Sequence, residues 1–247
     1  MSIDLALIGG TGLYRLPGLE EVSEQVVETP WGKPSDAIVC GNLGGRRLAF
    51  IARHGRAHDI APHQVNYRAN LHALKQLGAM RIVGINAVGG IREDMGPRAL
   101  VVPDQIIDYT HGRITSFCDG VDTPVQHIDF SEPYTASMRR GLLDAALQAS
   151  VPVVDGGCYG ATQGPRLETR AEIGRMRRDG CDLVGMTGMP EAALARELGL
   201  EYACLALVAN WAAGCGDQAE ISLDEIFANL EHATAKVPLI VASLIAS

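Results

Sequence analysis

Leu205-Ala206-Leu207-Val208-Ala209-Asn210-Trp211-Ala212-Ala213-Gly214 opens with five apolar residues in succession, the pattern of a strand covered on both faces, and then admits a side-chain amide. The apolar character reaches back to Tyr202. Five further runs share it: Leu5-Ala6-Leu7-Ile8, Leu48-Ala49-Phe50-Ile51-Ala52, Ile82-Val83-Gly84-Ile85-Asn86-Ala87, Leu100-Val101-Val102 and Leu183-Val184-Gly185-Met186. Each gives way to glycine or polar loop residues. Helical periodicities fill the intervals at 65–77, 137–149, 170–179, 190–198 and 223–244. The alternation predicts an α/β fold, a mixed β-sheet flanked by helices, with its site at the loops that leave the strand ends.

Composition narrows the function. A chain of 247 residues, 47% hydrophobic and 20% charged, is long enough for one large core, and no linker-like stretch divides it. One domain over 1–247 is expected. The net charge of −8 argues against a nucleic-acid or anionic-membrane partner, so any anion site must be local. Six cysteines without a C-x-x-C pair, and an N-terminus without a basic-then-apolar leader, predict a reduced, cytoplasmic protein. The apolar stretch 237–246 is too short for a bilayer and is interrupted by Pro238 and Ser243, so no membrane segment is expected. Residues 110–133, which include His111 and His127, form the longest stretch without a period. Loops of that length are usually functional or ordered by a partner, and this one could reach a neighbouring subunit.

Several strand exits carry anion-type chemistry. Ile8-Gly9-Gly10-Thr11-Gly12 has Arg15 where a dinucleotide fingerprint needs its third glycine, and Pro17-Gly18 interrupts the helix that should follow. What remains is a turn that exposes N–H groups beside the Thr11 hydroxyl, suited to a single phosphate or to nothing more than a tight turn. In Ala52-Arg53-His54-Gly55-Arg56-Ala57-His58 the H-x-x-x-H spacing invites zinc. Gly55 stands where the catalytic Glu of a zincin belongs, and Arg53 and Arg56 repel a cation. Two arginines and a histidine suit an anion instead, and no metal is expected. Asn86-Ala87-Val88-Gly89-Gly90 and Gly185-Met186-Thr187-Gly188-Met189-Pro190-Glu191 are further small-residue exits, the second placing Thr187 just ahead of a helix that Pro190 can start. Met186 packs on a ligand or belongs to the core. There is no G-x-S-x-G elbow, no cysteine with a credible base, and no carboxylate pair that stands out.

Asn210 pairs in chemistry with Glu168, from Gly164-Pro165-Arg166-Leu167-Glu168-Thr169. An amide and a carboxylate acceptor match the O6/N7 and N1–H edge of a 6-oxopurine. On local sequence the alternative stays open: Asn210 caps the next turn and Glu168 lies on a solvated helix face.

Taken in order, these stretches resemble the trimeric purine nucleoside phosphorylase and 5'-methylthioadenosine phosphorylase family. The resemblance runs through the Thr11 turn, Thr29-Pro30-Trp31-Gly32-Lys33-Pro34-Ser35, the Arg53-His54 turn, Val65-Asn66-Tyr67-Arg68-Ala69-Asn70, Gly164-Pro165-Arg166 and the 186–191 stretch, and so covers almost the whole chain. It implies phosphorolysis of a small-molecule nucleoside, with inorganic phosphate as co-substrate, no cofactor, and a homotrimer. By the same resemblance Thr11, Arg53, His54, Asn86, Ala87 and Thr187 surround phosphate, with His54 and Asn210 as catalytic groups. Met186 and Leu167 contact the nucleoside, and Asn210, Trp211 and Ala212 line the base pocket. His127 aligns with a histidine that reaches the sugar 5' substituent across the trimer interface.

Most of the chain is similar to the methylthioadenosine branch, which reads a 6-amino base with a Thr-Asp-Tyr-Asp pattern. Here the matching residues are Ala209-Asn210-Trp211-Ala212, and Glu168 with Asn210 resembles the pair of the 6-oxopurine enzymes. Enzymes for ordinary nucleosides place a histidine at the 5'-hydroxyl, and the matching residue here is Leu223, followed by Ile226 and Phe227. The specificity residues are therefore expected to be Glu168 and Leu223, and the substrate a 6-oxopurine nucleoside with a 5'-methylthio sugar. The alternatives are a methylthioadenosine phosphorylase, a general 6-oxopurine nucleoside phosphorylase, and a regulatory protein that binds nucleosides without turnover.

Overall fold

In the computed structural model, which describes residues 2–11, 13, 18–118, 123–216 and 222–246, each of the six apolar runs overlaps a β-strand. In chain order the strands are β1 (Leu5–Gly9), β2 (Glu20–Gln25), β3 (Ile38–Leu43), β4 (Arg46–Ala52), β5 (Arg81–Gly90), β6 (Leu100–Val102), β7 (Gln105–Asp108), β8 (Val154–Asp155), β9 (Cys158–Ala161), β10 (Leu183–Gly185) and β11 (Glu201–Trp211). The helices among the described residues are α1 (Tyr67–Gln76), α2 (Ala136–Gln148), α3 (Arg170–Asp179), α4 (Gly188–Glu197), α5 (Leu223–Thr234) and α6 (Val237–Ala246). The fold is the expected mixed sheet flanked by helices.

The sheet's topology explains where a site can form. Strand β1 runs parallel to β4 and β5, and β11 runs parallel to β5 from the Glu201↔Arg81 pair to Trp211↔Gly90. Their carboxyl ends therefore open on one side, the usual position of a crevice in an open α/β sheet. At the end of β5, Gly89 and Gly90 pair with β10 antiparallel, so β10 points back into that crevice. Asn86 Nδ2 then donates to Thr187 Oγ1 at 2.8 Å. Strands β9 and β7 continue the sheet in parallel from β10, while β3 and β2 extend the other edge antiparallel.

Both faces are covered, which is why the runs are apolar at successive positions rather than alternate ones. Ala6, Ile8, Cys204, Ala206 and Val208 share one core with Leu71 and Leu74 of α1 and Leu194 of α4. Leu5, Leu7, Leu205, Leu207 and Ala209 share the other with Met138 of α2, Leu230 of α5 and Ile240 of α6. A third, smaller cluster joins Ile173 and Met176 of α3 to Val184 and Ala212.

Some expectations change. The helical stretch 223–244 is two helices, because the Pro238 ring cannot continue a helix past the carbonyl four residues back, and α5 ends at that residue, Thr234. Asn210 lies inside β11 rather than beyond it. Strand β2 was illegible since it is a polar edge, Glu-Glu-Val-Ser-Glu-Gln, without a buried face. The described part of 110–133 holds no helix or strand. Gly12, Arg15 and Pro17 lie outside the described residues. Among the described residues no helix is long and apolar enough to cross a membrane.

Candidate functional site

A cavity of about 470 Å³ occupies the crevice, within the range of small-molecule sites. It is lined by the exits of β1, β4, β10 and β11, by β5 itself, by the loop ahead of α3 and by the first turns of α5. Thr11, Arg53, His54, Ala87 and Thr187 all reach it. So do Met186, Leu167, Glu168, Asn210, Ala212 and Leu223. The sequence also singled out Asn86, Trp211 and His127, and these are not among the lining residues of this protomer.

Arg53 is completely buried, and its guanidinium is held from behind. Nε donates to Glu191 Oε2 at 2.7 Å and Nη2 to Glu191 Oε1 at 2.8 Å, while Nη1 donates to the Ile85 carbonyl at 3.0 Å. Tyr202 donates its hydroxyl to Glu191 Oε1 at 2.7 Å. Burial disfavours the Arg53 charge, but Glu191 outweighs it and the arginine pKa is raised. Opening such a buried pair from one side costs about 3–5 kcal/mol. A Cβ on Gly10 would stand 3.1 Å from Nη1 and 2.7 Å from the Ile85 carbonyl oxygen. Only glycine lets the β1 exit approach the guanidinium so closely.

His54 Nδ1 lies 2.8 Å from the Ile60 carbonyl, which can only accept, so Nδ1 carries the hydrogen and Nε2 is the acceptor in the neutral ring. Burial, then the Arg53 charge, pushes its pKa down to about 4, against the Ile60 bond. The His58 ring, also on the cavity wall, is 4.9 Å away. Asn86 is fully buried and joins the two sides of this cluster, its Oδ1 accepting from Arg53 Nη2 at 3.4 Å and its Nδ2 holding Thr187. Thr187 stands ahead of α4, whose helical course is broken at Met189 (φ −117°, ψ 140°); it makes no side-chain cap bond, and its Oγ1 already accepts from Asn86. Its hydroxyl hydrogen is left to donate. A hydroxyl donor left free at a strand exit suits an anion.

Glu168 is set by the start of α3. Thr169 caps that helix through a reciprocal box with Glu172, and the residue before the cap is thereby aimed at the cavity. Thr162 donates its hydroxyl to Glu168 Oε1 at 2.6 Å. Asn210 owes its direction to a register shift between Val208 and Asn210 in the β5 pairing, a bulge. Neighbours on a regular strand face opposite sides, yet Ala209 and Asn210 both line the cavity. Asn210 Nδ2 donates to the Trp211 carbonyl at 2.6 Å. Leu223, Ile226, Phe227 and Leu230 of α5 add an apolar wall, on which Leu223 is 65% and Phe227 56% exposed.

Sequence reasoning missed Glu191 as a partner of Arg53, although an acid in an otherwise apolar helical stretch is a detectable signal. It also missed Thr162, which a sequence gives no reason to single out. Among the described residues no group of three or more His, Cys, Asp or Glu is arranged to hold a metal ion.

A mixed α/β sheet whose parallel strand ends converge on an anion-type cluster, an acid and amide pair and an apolar wall defines a small-molecule-binding protein of the nucleoside phosphorylase architecture. The family model described as the phosphorylase superfamily matches residues 4–246, and the chain belongs to that family. A probable S-methyl-5'-thioinosine phosphorylase from Xanthomonas campestris pv. campestris is 59% identical over 243 residues, 98% of this chain and 97% of the relative. Another protein of that name, from Xylella fastidiosa, is 60% identical over 229 residues, 93% of this chain and 97% of the relative. The crystal structure of a methylthioadenosine phosphorylase from an antarctic soil metagenomic library superposes with a TM-score of 0.93 at 37% identity, covering 99% of this chain and 86% of that one.

Proposed function

We propose that this chain is a pentosyltransferase that converts S-methyl-5'-thioinosine and phosphate to hypoxanthine and 5-methylthioribose 1-phosphate. The observation that carries the reading is that Glu168 and Asn210 share one cavity with the apolar wall led by Leu223. The names of the relatives from Xanthomonas and Xylella support the same substrate.

In this reading a phosphate oxygen attacks C1' as the C1'–N9 bond breaks, its electrons leave with the purine, and the ribosyl group passes through an oxocarbenium-like state. The proton that hypoxanthine gains balances the one phosphate loses. Thr11, Arg53, His54, Ala87 and Thr187 hold phosphate beneath the sugar, with Asn86 bracing Arg53 and Thr187. Neutral His54 presents Nε2 to a protonated phosphate oxygen. Met186 and Leu167 pack on the nucleoside, and Trp211 and Ala212 flank the base. With one Asn210 Nδ2 hydrogen on the Trp211 carbonyl, the other donates to O6, where negative charge gathers as the bond breaks, and Oδ1 accepts from N7–H once the leaving purine takes up its proton there. Glu168 accepts from N1–H. Adenine offers a lone pair at N1 instead, so a site of this kind leaves buried groups unpaired with it. A methylthio group suits the Leu223 wall, whereas placing a hydroxyl there costs about 1–3 kcal/mol.

Phosphate is the co-substrate, and the proposal calls on no metal or organic cofactor. It places the enzyme in the cytoplasm, consistent with all six cysteines being free, and in a homotrimer. His127, exposed on this protomer, serves a neighbour's site there. Asn210→Ala tests the catalytic assignment. Turnover of methylthioinosine falls about 100- to 1000-fold while the phosphate KM moves little. Equal losses in both contradict the role.

A further inference from the structure

The long aperiodic segment supplies one side chain that the proposed chemistry has not used. Arg113 does not line the cavity, yet its guanidinium bridges the two loops that carry the proposed base and phosphate contacts. Nη1 donates to the carbonyls of Met186 at 2.8 Å and Met189 at 2.7 Å, which bracket Thr187. Nη2 donates to the carbonyls of Thr162 at 3.1 Å and Gln163 at 2.8 Å, and Nε to Gln163 Oε1 at 3.1 Å. Thr162 is the residue whose hydroxyl holds Glu168. The guanidinium carbon also sits 5.8 Å from the Tyr67 ring centroid, with Nη1 3.4 Å from the Tyr67 hydroxyl.

Every one of these partners is a neutral acceptor, so the arginine serves as a rigid planar spacer and not as half of an ion pair. Strands β9 and β10 hold the two segments together as far as the Gly185↔Ala161 pair and the Thr162 bonds to the Gly185 carbonyl, and beyond that point the Glu168 loop and the Thr187 turn need a further tie. Backbone carbonyls on either side of one guanidinium give them one. Lysine keeps the charge but concentrates its donors at a point and cannot span both loops.

We infer that Arg113 is a positioning residue that sets the distance between the Glu168 loop and the Met186–Thr187 turn, so that base choice and phosphate use depend on one another. The inference rests on the base and phosphate roles proposed above. Arg113→Lys is the test, with kcat and KM measured for phosphate, methylthioinosine and methylthioadenosine, and with thermal unfolding in parallel.

Because displacement of reacting groups by about 1 Å can cost about 100-fold, kcat/KM for the preferred nucleoside is expected to fall about 10- to 100-fold. The phosphate KM rises, the preference between the two bases narrows, and the unfolding midpoint stays near that of the parent. Unchanged kcat/KM and preference in the folded variant overturn the inference. So does a fall in kcat alone, with base preference and phosphate KM intact. Should Arg113→Lys not accumulate, Gln163→Met removes the side-chain oxygen that accepts from Arg113 Nε and from the His111 N–H, keeps the Gln163 carbonyl, and is expected to shift both readouts in the same direction; no shift in either overturns the inference. The parent assay separates the two claims. A parent that prefers methylthioadenosine sinks the base reading, while the variant-to-parent ratio still decides the role of Arg113.

Discussion

The His54 imidazole donates through Nδ1 to Ile60, and burial with the neighbouring Arg53 charge pushes its pKa from an ordinary value near 6.5 down to about 4. The unfolded chain therefore binds more protons than the folded one between those values. The contribution of His54 to stability is complete above the unfolded pKa and is lost as pH falls towards about 4. Between about pH 7 and about pH 4.5 the loss is about 2 kcal/mol. Denaturant unfolding of the parent and of His54→Gln checks this, since the variant has to lose less stability across that window. A parent and variant with the same pH slope contradict it. His54 and Arg53 were legible because basic residues at a strand exit rarely serve a core. The pairing with Glu191 was not, since an acid in an apolar stretch signals a buried partner without naming it, and Arg53 becomes that partner only once the sheet has brought β4 against α4.

At the scale of elements, the proposed selection falls to the bulge in β11 and the first turn of α5. The bulge turns Asn210 into the cavity that Ala209 also lines, and nothing in a run of Leu, Ala and Val announces a shift in register. The run itself was legible, as were α3, whose capping box and terminal Gly180 stand in the sequence, and the fold class. The short strands β7, β8 and β9 were not, because their pairing comes from distant partners rather than from a periodic pattern of their own. Leu223 opens α5 beside its Ser222 cap and faces the cavity with Ile226 and Phe227. Leu223→His offers a donor where that wall offers none. It is expected to lower kcat/KM for methylthioinosine about 10-fold and to raise that for inosine, measured with both nucleosides at fixed phosphate. A variant that leaves the ratio of the two unchanged contradicts the assignment of this wall to the sugar 5' end.

Across the whole molecule, the site is a product of topology. Strand β5 pairs with β1 and β11 in parallel and with β10 antiparallel, and this one arrangement brings residues from both ends of the chain to a single crevice. Arg113 ties two of the resulting loops, and the proposed trimer would bring His127 to a neighbour. The central claim is that this crevice reads a 6-oxopurine at one end and a methylthio group at the other. Phosphate-dependent base release from methylthioinosine, methylthioadenosine and inosine, side by side at matched concentrations, tests both halves together. The account predicts methylthioinosine ahead by about 100-fold over methylthioadenosine and about 10-fold over inosine. A preference for methylthioadenosine would contradict the roles of Glu168 and Asn210, and a preference for inosine the role of Leu223.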